Sequence, residues 1–251
     1  AVPLEVLRAE DLRVVRTGDD GETLVRVVDS TLQDVVRRVP EALLSRRVIV
    51  CEGKTEVGLG EALDEHQKQL DGAPFAVAGV RLAVGEGSSA ADTATKLAGL
   101  GYDVAFVGDS DVATKPSAEQ MEQDGIRVFV WPDGMCTEER LATDLPIGAL
   151  QELVDIAAGA SSQKSVADQL RHQLEDQFSV DPANIQGLVQ EGCSEATLRG
   201  AIAHAAKDHQ WFKRIDLGEL AGKVVFEHYA EIEGKPLRKL LDSLAQWAHD
   251  G

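Results

Sequence analysis

The period of apolar and polar positions changes near residue 148. From 46 to about 147, short apolar runs alternate with stretches whose apolar residues recur every three or four positions, as strands alternating with helices do. The runs predict strands over 47–51, 80–84, 103–107 and 127–131, with FAVA at 75–78 a candidate extension of the second. The stretches between them predict helices over 55–70, 89–100, 116–124 and 137–144. Turns such as LGYD and QDGI carry the glycine that lets a helix end in a left-handed residue. Beyond 148, ALQELVDIAAG, KSVADQLRHQLEDQF, SEATLRGAIAHAAKDH and PLRKLLDSLAQWAHD all keep helical spacing, with QWFKRIDLGELAGKVVFEHY among them. Ahead of 46, LRVVRTGDDGETLVRVV gives two β runs around a DDGE turn. DVVRRVPEALLSRR follows, a helical stretch interrupted by Pro40 that brings Arg37, Arg38, Arg46 and Arg47 towards the next strand. The expected architecture is α/β: a parallel sheet with helices on its faces and an additional helical domain. Its divisions are a β-rich piece at 1–45, the sheet domain at 46–147 and the helical domain at 148–251.

Composition adds limits. A chain of 251 residues with 43% apolar content can bury a sizeable core. It has no run of eighteen apolar residues and no charged-then-apolar leader, which sets the expectation of a cytoplasmic protein without a membrane span. The three cysteines, Cys51, Cys136 and Cys193, lie 85 and 57 positions apart, which suits neither a disulfide framework nor a zinc knuckle. Buried, reduced thiols are expected. A net charge of −18 argues against a general basic surface for nucleic acid. The charge is uneven: residues 1–47 carry eight basic against nine acidic side chains, residues 101–145 three against ten. That acidity makes either a solvated face or a site for divalent cations.

Candidate chemistry falls in the acidic part. In RRVIVCEGKTE, a strand that reads as buried ends at Glu52, where an unpaired carboxylate would be unfavourable. In YDVAFVGDSDV, apolar residues run to Val107 and are followed by Asp109 and Asp111, which face the same way if the segment stays extended. If the two strands are parallel neighbours, three carboxylates meet beyond their carboxyl ends, and oxygen donors of that kind suit Mg²⁺ or Mn²⁺. Glu56 falls in the first turn of the next helix, where it either joins that group or complements the helix dipole. Glu138 and Glu139, after the PDG turn, have the same two readings, with Thr137 as the expected helix cap and Glu138 as a candidate for a second metal. The amides of Gly85, Gly87 and Ser88 in GEGSS are candidates for phosphate contact, or form an ordinary turn. Lys213 is a candidate cation for a developing phosphate charge, or a solvated lysine. No P-loop and no GxSxG motif is present, and the histidines lack ligand spacing.

VIVCEGKTE followed some fifty residues later by VAFVGDSD resembles the TOPRIM domain, a small Rossmann-like metal-binding α/β fold shared by primases, topoisomerases and some nucleases. The EGKTE form, WPDG leading into an acidic helix, and WFK in a helical segment resemble the OLD (overcoming lysogenization defect) family of nucleases. The resemblance spans roughly 46–240. It implies that 1–45 is the tail of an ATPase domain, that the chain is the C-terminal part of a longer protein, and that a segment near 208–230 contributes to the active site. It also implies two-metal phosphodiester cleavage. Glu52, Asp109 and Asp111 would match the TOPRIM acids, Glu56 the second acid of the first motif, Glu138 an acid of the other metal, and Lys213 the lysine that stabilises the transition state. The implied ions are two Mg²⁺ or Mn²⁺, with Ca²⁺ as an alternative occupant. The implied partner is DNA.

The leading expectation is therefore a metal-dependent DNA endonuclease or nickase, with Glu52, Asp109 and Lys213 as its catalytic residues. An RNA-processing nuclease of TOPRIM type and a non-catalytic metal- or nucleotide-binding module are the alternatives. A topoisomerase would need an activated tyrosine, and neither Tyr102 nor Tyr229 stands in a supporting context. Oligomeric state is left open.

Overall fold

A computed structural model of the chain describes residues 6–17, 21–70 and 72–250. A two-stranded antiparallel ribbon comes first, β1 (Arg13–Thr17) with β2 (Thr23–Val27), in the register Val15 opposite Val25. Asp19 and Asp20 of the expected turn lie outside the described residues. A short helix α1 (Gln33–Arg38) stops at Val39, and Pro40 opens a separate 3₁₀ turn over Pro40–Leu44. Proline has no amide hydrogen to continue the helical ladder, so the helical stretch is split in two.

The main sheet has four parallel strands in the order β4 (Val80–Val84), β3 (Arg47–Cys51), β5 (Asp103–Gly108), β6 (Arg127–Val130). Alternate residues of each strand enter opposite cores. Ile49, Cys51, Ala105, Val107 and Phe129 face one side; Val48, Val50, Val104 and Phe106 face the other. Burial on both faces explains why these strands read as continuous apolar runs. Helix α2 (Lys54–Gln69) covers the first face, and α3 (Ala90–Gly99) and α4 (Ala118–Gln123) cover the second. FAVA is a turn rather than strand: Val77 donates to the Pro74 carbonyl, and the Phe75 amide is held by Asp64 of α2 at 2.6 Å. The chain leaves β3 for β4 on one side and returns past β3 to β5 on the other. The crevice beyond the carboxyl ends of β3 and β5 is therefore the topological switch point, where open α/β sheets bind their ligands.

After β6 the chain is helical: α5 (Thr137–Asp144), α6 (Ile147–Ala160), α7 (Gln163–Gln173), α8 (Ile185–Gln190), α9 (Glu195–Asp208), α10 (Ile215–Glu227) and α11 (Pro236–His249). These helices share one hydrophobic core with the α2 face of the sheet. The approach of α10 to α2 is backbone on backbone. A Cβ built at Gly58 would lie 2.3 Å from the Glu219 amide nitrogen, and one at Gly218 would lie 2.7 Å from the Thr55 carbonyl oxygen. Glycine is required at both positions. No described helix is long and apolar enough to cross a membrane.

Candidate active site

The site is assembled at the switch point from four pieces of chain. In the first piece, β3 ends at Cys51, and the Glu52 amide donates to the Val107 carbonyl at 2.8 Å, keeping the two strand tips in register. Glu52 Oε2 accepts the Asp109 amide hydrogen at 3.0 Å. Gly108 leaves room for that carboxylate, since a Cβ there would fall 2.6 Å from the same oxygen. One helical turn on, Glu56 is 2% exposed, in the first turn of α2.

Asp109 and Asp111, in the second piece, separate. The strand ends at Gly108 and residues 110–112 are a bend, so the extended geometry that would align positions i and i+2 is gone. Asp109 turns inward and accepts two hydrogen bonds from Thr137 on its Oδ1, from the amide at 2.8 Å and from the hydroxyl at 3.0 Å. Asp111 is exposed, and its carboxylate pairs with Lys207 of α9 at 2.9 Å. The threefold meeting of Glu52, Asp109 and Asp111 is thus replaced by a Glu52–Asp109 contact, with Asp111 on its outer side.

The third piece is the start of α5. Cys136, not Thr137, is the N-cap: the Cys136 amide donates to Glu139 Oε2 at 2.8 Å in a reciprocal capping arrangement. Thr137 is fully buried and joins the acids, accepting the Trp131 indole N–H at 2.8 Å and lying 2.7 Å from Glu56 Oε1. Glu138 is 2% exposed, and neither of its carboxylate oxygens has a hydrogen-bond partner. A buried acceptor in that condition is rare and marks a place built for something else.

Lys213 comes from the fourth piece, the segment between α9 and α10. Its Nζ lies 3.6 Å from Glu138 Oε1. The segment is held by the Thr55 hydroxyl, which donates to the Phe212 carbonyl at 3.0 Å, and by the Trp211 indole, which donates to Gln169 at 2.7 Å. Helix α10 against α2 fixes its direction. Lys213 of this segment thus stands beside Glu138.

Electrostatics follow from this crowding. Burial, then Glu56 and Glu138, push the Asp109 carboxyl up to about 7, against Lys213 and the Thr137 hydrogen bond. Burial and Glu138 likewise raise Glu56, while burial and Asp109 raise Glu52. Lys213 is lowered by burial but raised by Glu138, Glu56 and Asp109, and the acids prevail. Lys207 is raised by its hydrogen bond to Asp111 and, more weakly, by Glu139 at 3.3 Å.

The carboxylate set fits a hard divalent cation in donor type, and the orphaned Glu138 oxygens fit it in chemistry. A closed cage is another matter: among the described residues, no three His, Cys, Asp or Glu side chains are gathered tightly enough to hold one ion. Two lysines face the acids, Lys213 within the crevice and Lys207 at its rim. A groove of about 470 Å³, lined in part by Met135, Glu139, Arg199 and His204, adjoins that rim.

In the GEGSS turn two of the three candidate amides are engaged within the fold. Gly85 donates to the Cys51 carbonyl at 2.7 Å and Gly87 to the Glu52 carbonyl at 2.8 Å, so both amides tie the tip of β4 to the tip of β3. Ser88 is exposed. Neither tyrosine is near the acids: the Tyr102 hydroxyl donates to the Leu43 carbonyl at the opposite end of β5, and the Tyr229 hydroxyl to Asp242. The three cysteines are free and buried, as their spacing implied. Sequence patterns gave no sign of Lys207, which sits in an ordinary helical face, and offered Thr137 only as a cap.

No protein-family model matches the chain, and no curated protein matches it. Among solved structures it is similar to the C-terminal region of the Xanthomonas campestris pv. campestris OLD protein, at 17% identity and a TM-score of 0.38, over 76% of this chain and 99% of that one. It is also similar to the C-terminal region of the Burkholderia pseudomallei OLD protein, at 17% identity and a TM-score of 0.36, over 74% of this chain and 98% of that one.

Proposed function

We propose that this chain is a nuclease of the OLD type, a divalent-metal-dependent endonuclease or nickase that hydrolyses DNA phosphodiester bonds with two ions. The observation that carries the reading is Glu138: buried, with neither oxygen hydrogen-bonded, its Oε1 facing Lys213 at 3.6 Å, and in one crevice with Glu56 and Asp109. The EGKTE, GDSD and WFK motifs each bring a residue to that crevice or its rim, and Trp131 of WPDG reaches it through the Thr137 hydroxyl.

In this reading Glu52 and Asp109 serve one ion, which Asp111 would join on release from Lys207, and Glu56 and Glu138 serve the other. Mg²⁺ or Mn²⁺, when bound, would supply an activated water and stabilisation of the leaving oxygen. The chain's own residues do the rest. Lys213 is the cation positioned to meet negative charge developing on the phosphate. Thr137 and the Asp109 amide hold carboxylate oxygens in fixed directions. The groove beside Glu139 is where this reading would seat the nucleic acid strand.

Incubating supercoiled plasmid with the purified chain and Mg²⁺ or Mn²⁺ tests the proposal. Relaxed or linear product is expected, lost in Glu52→Ala, Asp109→Ala and Lys213→Ala. Intact plasmid with both metals overturns it, and cleavage confined to RNA replaces DNA by RNA as the substrate.

A further inference from the structure

Thr137 has one hydroxyl proton and three polar neighbours. Trp131 Nε1–H can only donate, so at 2.8 Å it takes a lone pair of Thr137 Oγ1. The hydroxyl proton must then point away from the indole, towards Glu56 Oε1 at 2.7 Å or Asp109 Oδ1 at 3.0 Å. Asp109 Oδ1 already receives the Thr137 amide hydrogen at 2.8 Å, so Glu56 is the acceptor that depends on the hydroxyl. Trp131 and Thr137 are both buried, and no solvent competes for these bonds.

A pattern emerges across the crevice. One oxygen of Glu56 and one of Asp109 are held by Thr137, and one oxygen of Glu52 by the Asp109 amide. Each of the three carboxylates is thus held through a named oxygen, and the Glu56 amide adds to the hold on its own carboxyl. Gly53 belongs to the same arrangement, since a Cβ there would come 2.8 Å from Glu56 Oε2, the oxygen Thr137 does not hold. We propose that Thr137, with its hydroxyl oriented by the Trp131 indole, is a positioning residue that fixes the carboxylates of Glu56 and Asp109 as ligands for divalent metal. This rests on the metal-dependent reading above. Residues that orient a ligand typically change metal affinity by about 10–100-fold when altered.

Mn²⁺ affinity of the full chain, measured by calorimetry or by loss of the free-ion paramagnetic resonance signal, tests the assignment without recourse to cleavage. Thr137→Val keeps shape and amide but removes the hydroxyl, and Mn²⁺ binding is expected to weaken about tenfold or more. Thr137→Ser restores the donor and should recover affinity to within about threefold of the wild type, because the hydroxyl is what orients the ligand. Thr137→Val strands the indole N–H, so the variant is paired with Trp131→Phe/Thr137→Val, in which that donor is also gone. The double variant should regain thermal stability in chelator while its Mn²⁺ affinity stays low, a separation that a merely structural role would not produce. Unchanged Mn²⁺ affinity in folded Thr137→Val, or in the double variant if the single one fails to fold, overturns the assignment and leaves the nuclease reading standing. Absence of Mn²⁺ binding by the wild-type chain overturns both.

Discussion

At the scale of the residue, the crevice holds more negative charge than one half-buried lysine can answer. Asp109 shows the consequence, since its carboxyl is lifted to about 7 by burial and by Glu56 and Glu138. A carboxyl raised in the folded state favours folding most below its unfolded value near 4, and that contribution disappears as pH rises through about 7. Metal-free protein should therefore lose stability between about pH 4 and 7, by an amount on the order of 2–4 kcal/mol from this group. Urea titrations across that range check it, and Asp109→Asn should flatten the profile. Lys213→Met makes the complementary case. Glu138 would be left buried without its cation, a loss of about 1–3 kcal/mol. How much of this was legible varies residue by residue. Glu52 and Asp109 could be read directly, because a buried run ending in a carboxylate is an anomaly on its face. Asp111 was misdirected because the strand stops before it, and Lys213 was found by resemblance, since a single lysine in a helical region carries no signal of its own.

At the scale of the element, strands and helices of the sheet were legible to within a residue or two because periodicity and burial agree there. The junction of α2 with α10 was not foreseen, though it left a trace. VGLGEAL and LGELAGK place glycines inside helices, where each is unfavourable by about 1 kcal/mol against alanine unless close packing demands it. Gly58 and Gly218 are such cases. Gly218→Ala should lower stability by about 2–3 kcal/mol or more, the clash outweighing the gain in helix propensity. Gly200 in α9, with no atom within 4 Å of its virtual Cβ, is the control, and Gly200→Ala should stabilise by about 0.5–1 kcal/mol. Thermal melts of the pair decide whether the α2–α10 contact is as close as described. Since Lys213 immediately precedes α10, Gly218→Ala should also impair plasmid cleavage without touching an acid.

At the scale of the whole molecule, a chain of net charge −18 is stabilised by any salt through screening, but a divalent site gives a specific effect beyond it. Millimolar MnCl₂ should raise the melting temperature well above NaCl of equal ionic strength, and by about 2.7 kcal/mol of stability at a hundredfold excess over the dissociation constant. Glu138→Gln should remove most of that difference. The molecule as a whole was legible as a sheet plus helices, whereas their fusion into one core was not, because periodicity reports which face of a helix is apolar and not what it meets. That fusion reaches into the first motif. The Thr55 hydroxyl of EGKTE closes on the carbonyl of Phe212, a partner synthesised 157 residues later. If the chain cuts DNA as proposed, it cannot do so while still emerging from the ribosome, or after losing its helical half. The acids would stand ready, but the lysine would be missing, and a dangerous activity would stay locked until the last part of its own machinery had arrived.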